Sequence, residues 1–207
     1  MKISKNAVLG CILAVLALPL AGAANDASAM NLLTNPGFET GDLTGWQVFG
    51  LSPNSAVTVQ SPDNGPSEPG MYNAFMDNHA EALGLTLKQS TPAGSAAAGL
   101  VYYSFDLKLG QADAGGVFFV EVFAEQAGGG VIGTSGLLGN YTPADWTTFS
   151  GFFNAPANTD FLTIQFMANT GAVVGSISTM HVDNVDLHQE SVSAQSSTWS
   201  AIKALSR

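Results

Sequence analysis

Asn31-Leu32-Leu33-Thr34-Asn35-Pro36-Gly37-Phe38-Glu39, continued by Thr40-Gly41-Asp42-Leu43-Thr44-Gly45-Trp46, is answered near the far end of the chain by His181-Val182-Asp183-Asn184-Val185-Asp186-Leu187. The first block combines an apolar strand start, a Pro-Gly turn, an acid beside a Phe and a Gly-Trp entry to the next strand. Between the two blocks, short β-type runs recur with Gly, Pro, Asn or Asp separating them, which is the signal of a sandwich or barrel. The blocks bracket one domain, residues 31–189, long enough to bury a good core and too short for two ordinary domains.

The runs predict strands at Gly45–Phe49, Ala56–Gln60, Asn73–Asp77, Gly84–Gln89, Val101–Leu109, Val117–Glu125, Val131–Thr134, Trp146–Phe153, Phe161–Ala168 and Ser178–Leu187. Because side chains alternate across a strand, Tyr103, Phe105, Leu107 and Leu109 are expected in the core and Tyr102, Ser104, Asp106 and Lys108 on an open face. By the same argument Leu162, Ile164 and Phe166 face inward, opposite Thr163 and Gln165. Trp46, Phe75 and Trp146 are also expected to be core. Ser52–Gly70, with Pro53, Pro62, Pro66 and Pro69, reads as long loops around one short strand, and such loops often border a ligand site. Gly128-Gly129-Gly130-Val131-Ile132-Gly133 matches a dinucleotide-binding pattern only formally, since it opens no helix, and is expected to be a hairpin turn.

The opening and closing blocks resemble those of galactose-binding-like β-sandwich jelly rolls that include several carbohydrate-binding modules. Members often open with Asn-x-x-Phe-Glu and a downstream Gly-Trp, here Asn35 to Trp46, and close on an Asp-Asn-Val strand, here Asp183-Asn184-Val185. The resemblance implies an all-β antiparallel sandwich in which the first and last strands are neighbours. It also implies a structural calcium held by Glu39 and Asp183. The remaining oxygens in the family are largely backbone carbonyls, with Thr34 or Asn35 as further candidates.

Residues 1–24 read as a secretory signal peptide: Lys2 and Lys5, an apolar run from Ala7 to Leu20, then Ala21-Gly22-Ala23-Ala24. That run is about fourteen residues, short of the roughly twenty that span a bilayer, so no membrane insertion is expected after cleavage. The expected location is secreted, whether extracellular, at the cell surface or in the periplasm. Cleavage also removes Cys11, leaving no cysteine for disulfides, thiolate metal sites or catalysis. The whole chain already carries a net charge of −10, and Lys88 and Lys108 are the only fixed cations in the body of the domain. Nucleic acid is therefore excluded as a partner, and a neutral or cation-bridged ligand fits better. Residues 190–207 form a Ser-rich tail in which Trp199, Ile202 and Leu205 suggest a short amphipathic helix. Two readings of the tail stay open, a frayed end and an element that docks on a protein partner.

Neutral glycans are held by aromatic stacking and by Asn, Gln, Asp and Glu hydrogen bonds. Candidates for that chemistry are Tyr72, Asn73 and Asp77, together with Tyr102, Tyr141 and Trp146 and with Glu121 and Gln165 as polar partners on open faces. Catalytic patterns are missing: there is no Gly-x-Ser-x-Gly or His-Glu-x-x-His, and His181 beside Asp183 is expected to make a strand-end hydrogen bond. Glu121 and Glu125 share a face about 13 Å apart at roughly 3.3 Å per residue, beyond the roughly 5 to 9.5 Å of two-acid glycoside hydrolysis. Three functions follow in order: a secreted, non-catalytic module for neutral glycan, a structural or adhesive protein using the same sandwich for protein contacts, and a small polysaccharide-degrading enzyme.

Overall fold

The computed structural model describes residues 30–139 and 143–189; residues 1–24, expected to be a signal peptide, Tyr141 and residues 190–207 lie outside the described residues. Among the described residues eleven strands follow one another: β1 Gln47–Phe49, β2 Ser55–Gln60, β3 Asn73–Asn78, β4 Gly84–Ser90, β5 Gly99–Asp113, β6 Val117–Gln126, β7 Val131–Thr134, β8 Leu138–Gly139, β9 Ala144–Ala155, β10 Thr159–Asn169 and β11 Ile177–Gln189. One sheet has the order β1-β4-β10-β6-β7, with β8 also on β6, and the other β2-β3-β11-β5-β9, all pairs antiparallel. The chain is thus an all-β jelly-roll sandwich, and every strand expected from the sequence is present with its ends moved by a few residues. The two-residue β8 has no counterpart among them because two residues carry no periodicity.

The inner faces of β5, β6, β10 and β11 supply most of the core, including Phe105, Leu107, Val120, Val122, Ile164, Phe166, Val182 and Leu187, each with no exposed surface. An aromatic series crosses it. Phe38 stacks on Trp46 at 5.2 Å, Trp46 meets Phe166 at 6.1 Å, and Phe166 meets Phe105 edge-on at 5.4 Å. Phe38 reaches the core from the opening turn with φ at 58°, a left-handed conformation that costs a bulky residue free energy. Full burial of its ring contributes about 1.5–3 kcal/mol and offsets that cost.

The opening segment lies along β11 as a series of turns, whereas the resemblance implies a first strand there; the first strand, β1, pairs with β4 in the other sheet. Leu32 N–H donates to the Leu187 carbonyl at 2.9 Å, Val185 N–H to the Pro36 carbonyl at 3.1 Å, and Asn31 Nδ2 to the Val185 carbonyl at 2.8 Å. Gly128, Gly129 and Gly130 all have positive φ and close the β6–β7 hairpin, as expected for a turn.

Four expectations are corrected, two from alternation and two for aromatic residues expected in the core. Asp106 is fully buried, because residues 61–69 fold over the outer face of β5 and cover it. Thr163 is buried between the Ser90 hydroxyl and the Glu125 carboxylate. Phe75 and Trp146 are only half-buried and lie on the outer face of the second sheet, packed around His181 at ring separations of 4.5 and 6.0 Å. Strand alternation assigns a face; whether a loop covers that face depends on contacts far away in sequence.

Candidate functional site

Three groups of side chains are organised by this scaffold, and the residues singled out from the sequence divide among them. The first is an acidic junction where the opening turn, β11 and the 61–72 loop meet. Asp183 is fully buried; its Oδ2 accepts Gly65 N–H at 2.7 Å and its Oδ1 accepts Asn184 N–H at 2.7 Å. A register shift in β11 between Asp183 and Asp186, with Asn184 at φ 48°, turns Asp183 and Asn184 toward the loop. Asn184 Nδ2 then donates to the Gly65 carbonyl at 3.0 Å and to Asp106 Oδ2 at 2.9 Å. Glu39 Oε1 accepts Met71 N–H at 2.9 Å and Tyr72 N–H at 3.1 Å. Two glycines are dictated by these carboxylates: a Cβ at Gly65 would overlap Asp106, and one at Gly70 would overlap Glu39 Oε1.

Burial pushes the Asp183 carboxyl up to about 7, with the two amide donors pulling it down and the negative charges of Glu39 and Asp106 raising it further. Asp106 has the opposite outcome. Burial raises it, but hydrogen bonds from Thr148, Asn184 and Ser67 together outweigh that and hold it below the usual carboxylate range. Asp106 is therefore satisfied within the protein, whereas Asp183 lies buried near two other acids without a salt-bridged cation among the described residues.

Glu39 and Asp183 both pass close to Gly37, where a Cβ would lie 3.7 Å from the Glu39 Cγ methylene and 3.7 Å from Asp183 Oδ1, while the Glu39 Oε1 is turned to the 70–72 backbone. Asn184 Oδ1, at 3.4 Å from that position, adds a neutral oxygen. Among the described residues no group of three or more Asp, Glu, His or Cys side chains has metal-binding geometry, so a hard divalent cation held here would depend on neutral oxygens for the rest of its shell. The Thr34 carbonyl accepts from Gln89 Nε2, and Asn35 Oδ1 accepts from Thr40 N–H, so both are engaged in the opening turn.

The second group covers the outer face of the β2-β3-β11-β5-β9 sheet. Asp63 from the loop accepts Lys108 Nζ at 2.5 Å and Trp146 Nε1 at 2.8 Å, and these bonds hold it below its ordinary value. Asn73 is fully buried, donates to the Asp63 carbonyl and meets His181 Nδ1 at 2.8 Å. Burial and the Lys108 charge hold the His181 imidazole below its usual value, so it is neutral near pH 7. His181 makes a hydrogen bond to Asn73, but from the interior of β11 rather than from the strand end expected of it. Asp77 pairs with His79 at 2.8 Å, and the Tyr72 ring packs 3.7 Å from the position of a Cβ on Gly41. Tyr102 is the residue of the candidate set that opens onto a cavity here, about 300 Å³ in volume, shared with Phe152 and His188.

The third group lies on the outer face of the other sheet. Register places Gln47 opposite Lys88, Lys88 opposite Gln165 and Gln165 opposite Glu121, giving one polar row across four strands. Phe49 lies one step along from it, with Lys88 Nζ 5.0 Å from its ring centroid. Glu121 accepts Thr134 Oγ1 at 2.6 Å, and Glu125 accepts Thr163 Oγ1 at 2.5 Å, so each acid is tied to a separate hydroxyl.

Gln165 and Glu121 therefore sit on one face of the sandwich, and Tyr102, Trp146, Asn73 and Asp77 belong to the other sheet. A single site containing all of them is ruled out by the sandwich itself. Residues that sequence reasoning did not single out as site residues include Asn184, Asp63, Phe152 and His188; the pairing of Tyr102 with both Phe152 and His188 becomes legible only from the strand order.

No family model matches the chain, and no curated protein matches it. Solved structures share the fold. The chain is similar to the enzymatically active domain of tailspike protein 4 from bacteriophage CBA120 (12% identity, TM-score 0.61, 76% of this chain and 21% of that one). It is also similar to TmCBM61, solved in complex with β-1,4-galactotriose (19% identity, TM-score 0.54, 78% of this chain and 100% of that one). A third is the CBM22-1 xylan-binding domain of Xyn10C from Paenibacillus barcinonensis (15% identity, TM-score 0.51, 78% and 96%). The chain spans about a fifth of the length of the tailspike chain and the full length, or nearly so, of the two carbohydrate-binding modules. Its fold is that of the β-sandwich carbohydrate-binding modules.

Proposed function

We propose that the chain is a secreted, non-catalytic module that binds neutral glycan on the outer face of the β1-β4-β10-β6-β7 sheet, with calcium stabilising the acidic junction on the other side. The observation that carries this reading is the polar row Gln47, Lys88, Gln165 and Glu121 beside Phe49. A row of amide, ammonium and carboxylate groups next to an aromatic ring offers donors and acceptors for hydroxyls and a platform for an apolar sugar face. Sandwiches of similar fold, solved with β-1,4-galactotriose or described as xylan-binding, support the ligand class. The separate anchoring of Glu121 and Glu125 supports a binding role over hydrolysis, and the signal-like residues 1–24 support export.

If calcium binds, Glu39 and Asp183 hold it, and it supplies the positive charge that Asp183 lacks, tying the opening turn to β11. The direct test of glycan binding is affinity electrophoresis of the mature chain through gels containing xylan, β-1,4-galactan or mixed-linked β-glucan, beside Gln165→Ala and Glu121→Ala. Retardation in one gel, lost in both variants, is the expected result. Wild-type mobility unchanged in every gel would sink the glycan reading.

A further inference from the structure

The outer face of the β2-β3-β11-β5-β9 sheet carries a second arrangement suited to a sugar, separate from the polar row. Register puts His188 of β11 opposite Tyr102 of β5, and Tyr102 opposite Phe152 of β9. The three rings form one row, with Tyr102 stacked on His188 at 5.4 Å and 18° and set against Phe152 at 6.1 Å. Two residues along each strand, the same register lines up Asp186, Ser104 and Ser150. A row of rings therefore runs beside a row made of one carboxylate and two hydroxyls, with a depression of about 300 Å³ between them.

None of these six side chains belongs to the buried core, which takes Val101, Tyr103, Phe105, Val185 and Leu187 from the same strands. Phe152 is 66% exposed, an unusual position for so large an apolar ring. His188 is held in place by Asp186, whose Oδ2 lies 2.5 Å from Nδ1, so the ring row is fixed before any ligand arrives. Ser104 and Asp186 also border a larger cavity of about 590 Å³ that continues to Glu39 and Asn184, leaving room for a chain longer than one ring.

We infer that this groove is a second glycan site, taking a neutral sugar with its apolar face on Tyr102 and Phe152 and its hydroxyls on Asp186, Ser104 and Ser150. Neutrality follows from charge. Asp186, Glu39 and Glu68 border the two cavities, and Lys108 is engaged by Asp63, so an acidic sugar would be repelled unless a bound cation bridged it. The ligand class rests on the glycan reading proposed above, but the site is independent of the polar row because the two lie on opposite faces of the sandwich. Two sites facing away from each other make one molecule a cross-linker of polysaccharide chains.

Stoichiometry and cross-linking decide it. The mature chain is titrated calorimetrically with xylo- and galacto-oligosaccharides, and light scattering is followed on mixing with soluble xylan and β-1,4-galactan. Wild type is expected to bind two oligosaccharides and to raise scattering. Phe152→Ala and Tyr102→Ala are expected to weaken groove binding about tenfold, leave one site and abolish cross-linking. The Gln165→Ala/Glu121→Ala pair should leave the other site. If Phe152→Ala and Tyr102→Ala match wild type in stoichiometry and scattering, the groove is overturned and the first site stands. Binding that survives only in the groove removes the first site and keeps the second. No binding to either sugar series overturns both. If deleting residues 190–207 shifts the Phe152 ring resonances while neither oligosaccharide does, the tail fills the groove and the proposal falls.

Discussion

The N–H of Gly65 donates to Asp183 Oδ2 at 2.7 Å, joining a loop between β2 and β3 to the closing strand of the sandwich. Asp106 occupies the space where a side chain on residue 65 would lie, so the contact requires glycine. Gly65→Ala should lose about 1–3 kcal/mol by forced displacement of Asp106 and of the loop. Urea unfolding measures this, and a loss below about 0.5 kcal/mol would show that the loop shifts freely.

Calcium binding at Glu39 and Asp183 should raise the thermal midpoint of a metal-free sample. At free calcium one hundred times the dissociation constant, linkage gives about 2.7 kcal/mol. Magnesium should do less, because it demands a tighter octahedral shell. Glu39→Ala should remove the calcium response; a full response in that variant would move the ion elsewhere.

Asp183 gives the metal-free protein a pH dependence of definite sign. Its folded value, about 7, lies above the ordinary 3.8, so the folded state holds the extra proton between those values. Stability from this group is therefore complete below about pH 4 and is lost as pH rises through 7, by an amount on the order of a few kcal/mol. Asp63 and Asp106 act oppositely: their values are lowered, and their contribution is lost as pH falls. The wild-type minus Asp183→Asn difference isolates the first effect. Metal-free wild type should lose stability relative to Asp183→Asn between pH 4 and 7, and a flat difference would contradict the burial argument.

Phe38→Ala removes a fully buried ring from the Phe38–Trp46–Phe166 series and should cost about 3–5 kcal/mol. Alanine keeps the strain of the left-handed backbone and glycine relieves it, so Phe38→Gly should be less damaging than Phe38→Ala. Chemical unfolding of both variants checks the order.

Strand positions were legible because alternation is local. Tyr103, Phe105 and Leu107 fall inward exactly as period two requires. Asp106 shows where that legibility stops, since its burial comes from Ser67 and Gly65 on a loop that no periodicity connects to β5. The candidate residues were chosen by type, and the single cluster expected of them does not form. Gln165 and Tyr102 are both outward on their strands, and only the sheet order puts them on opposite sides.

The sequence by itself determined the β-rich class and most of the strand set, because both rest on short-range pattern, while the closeness of the opening turn to the closing strand came from the family resemblance of the two blocks around Phe38 and Asp183. Tertiary structure alone decided which outward residues become neighbours. The row from Gln47 to Glu121, the rings of His188, Tyr102 and Phe152, and the raised carboxyl of Asp183 arise from strands joined across the sheet, where register and burial are set by the packing of the whole domain.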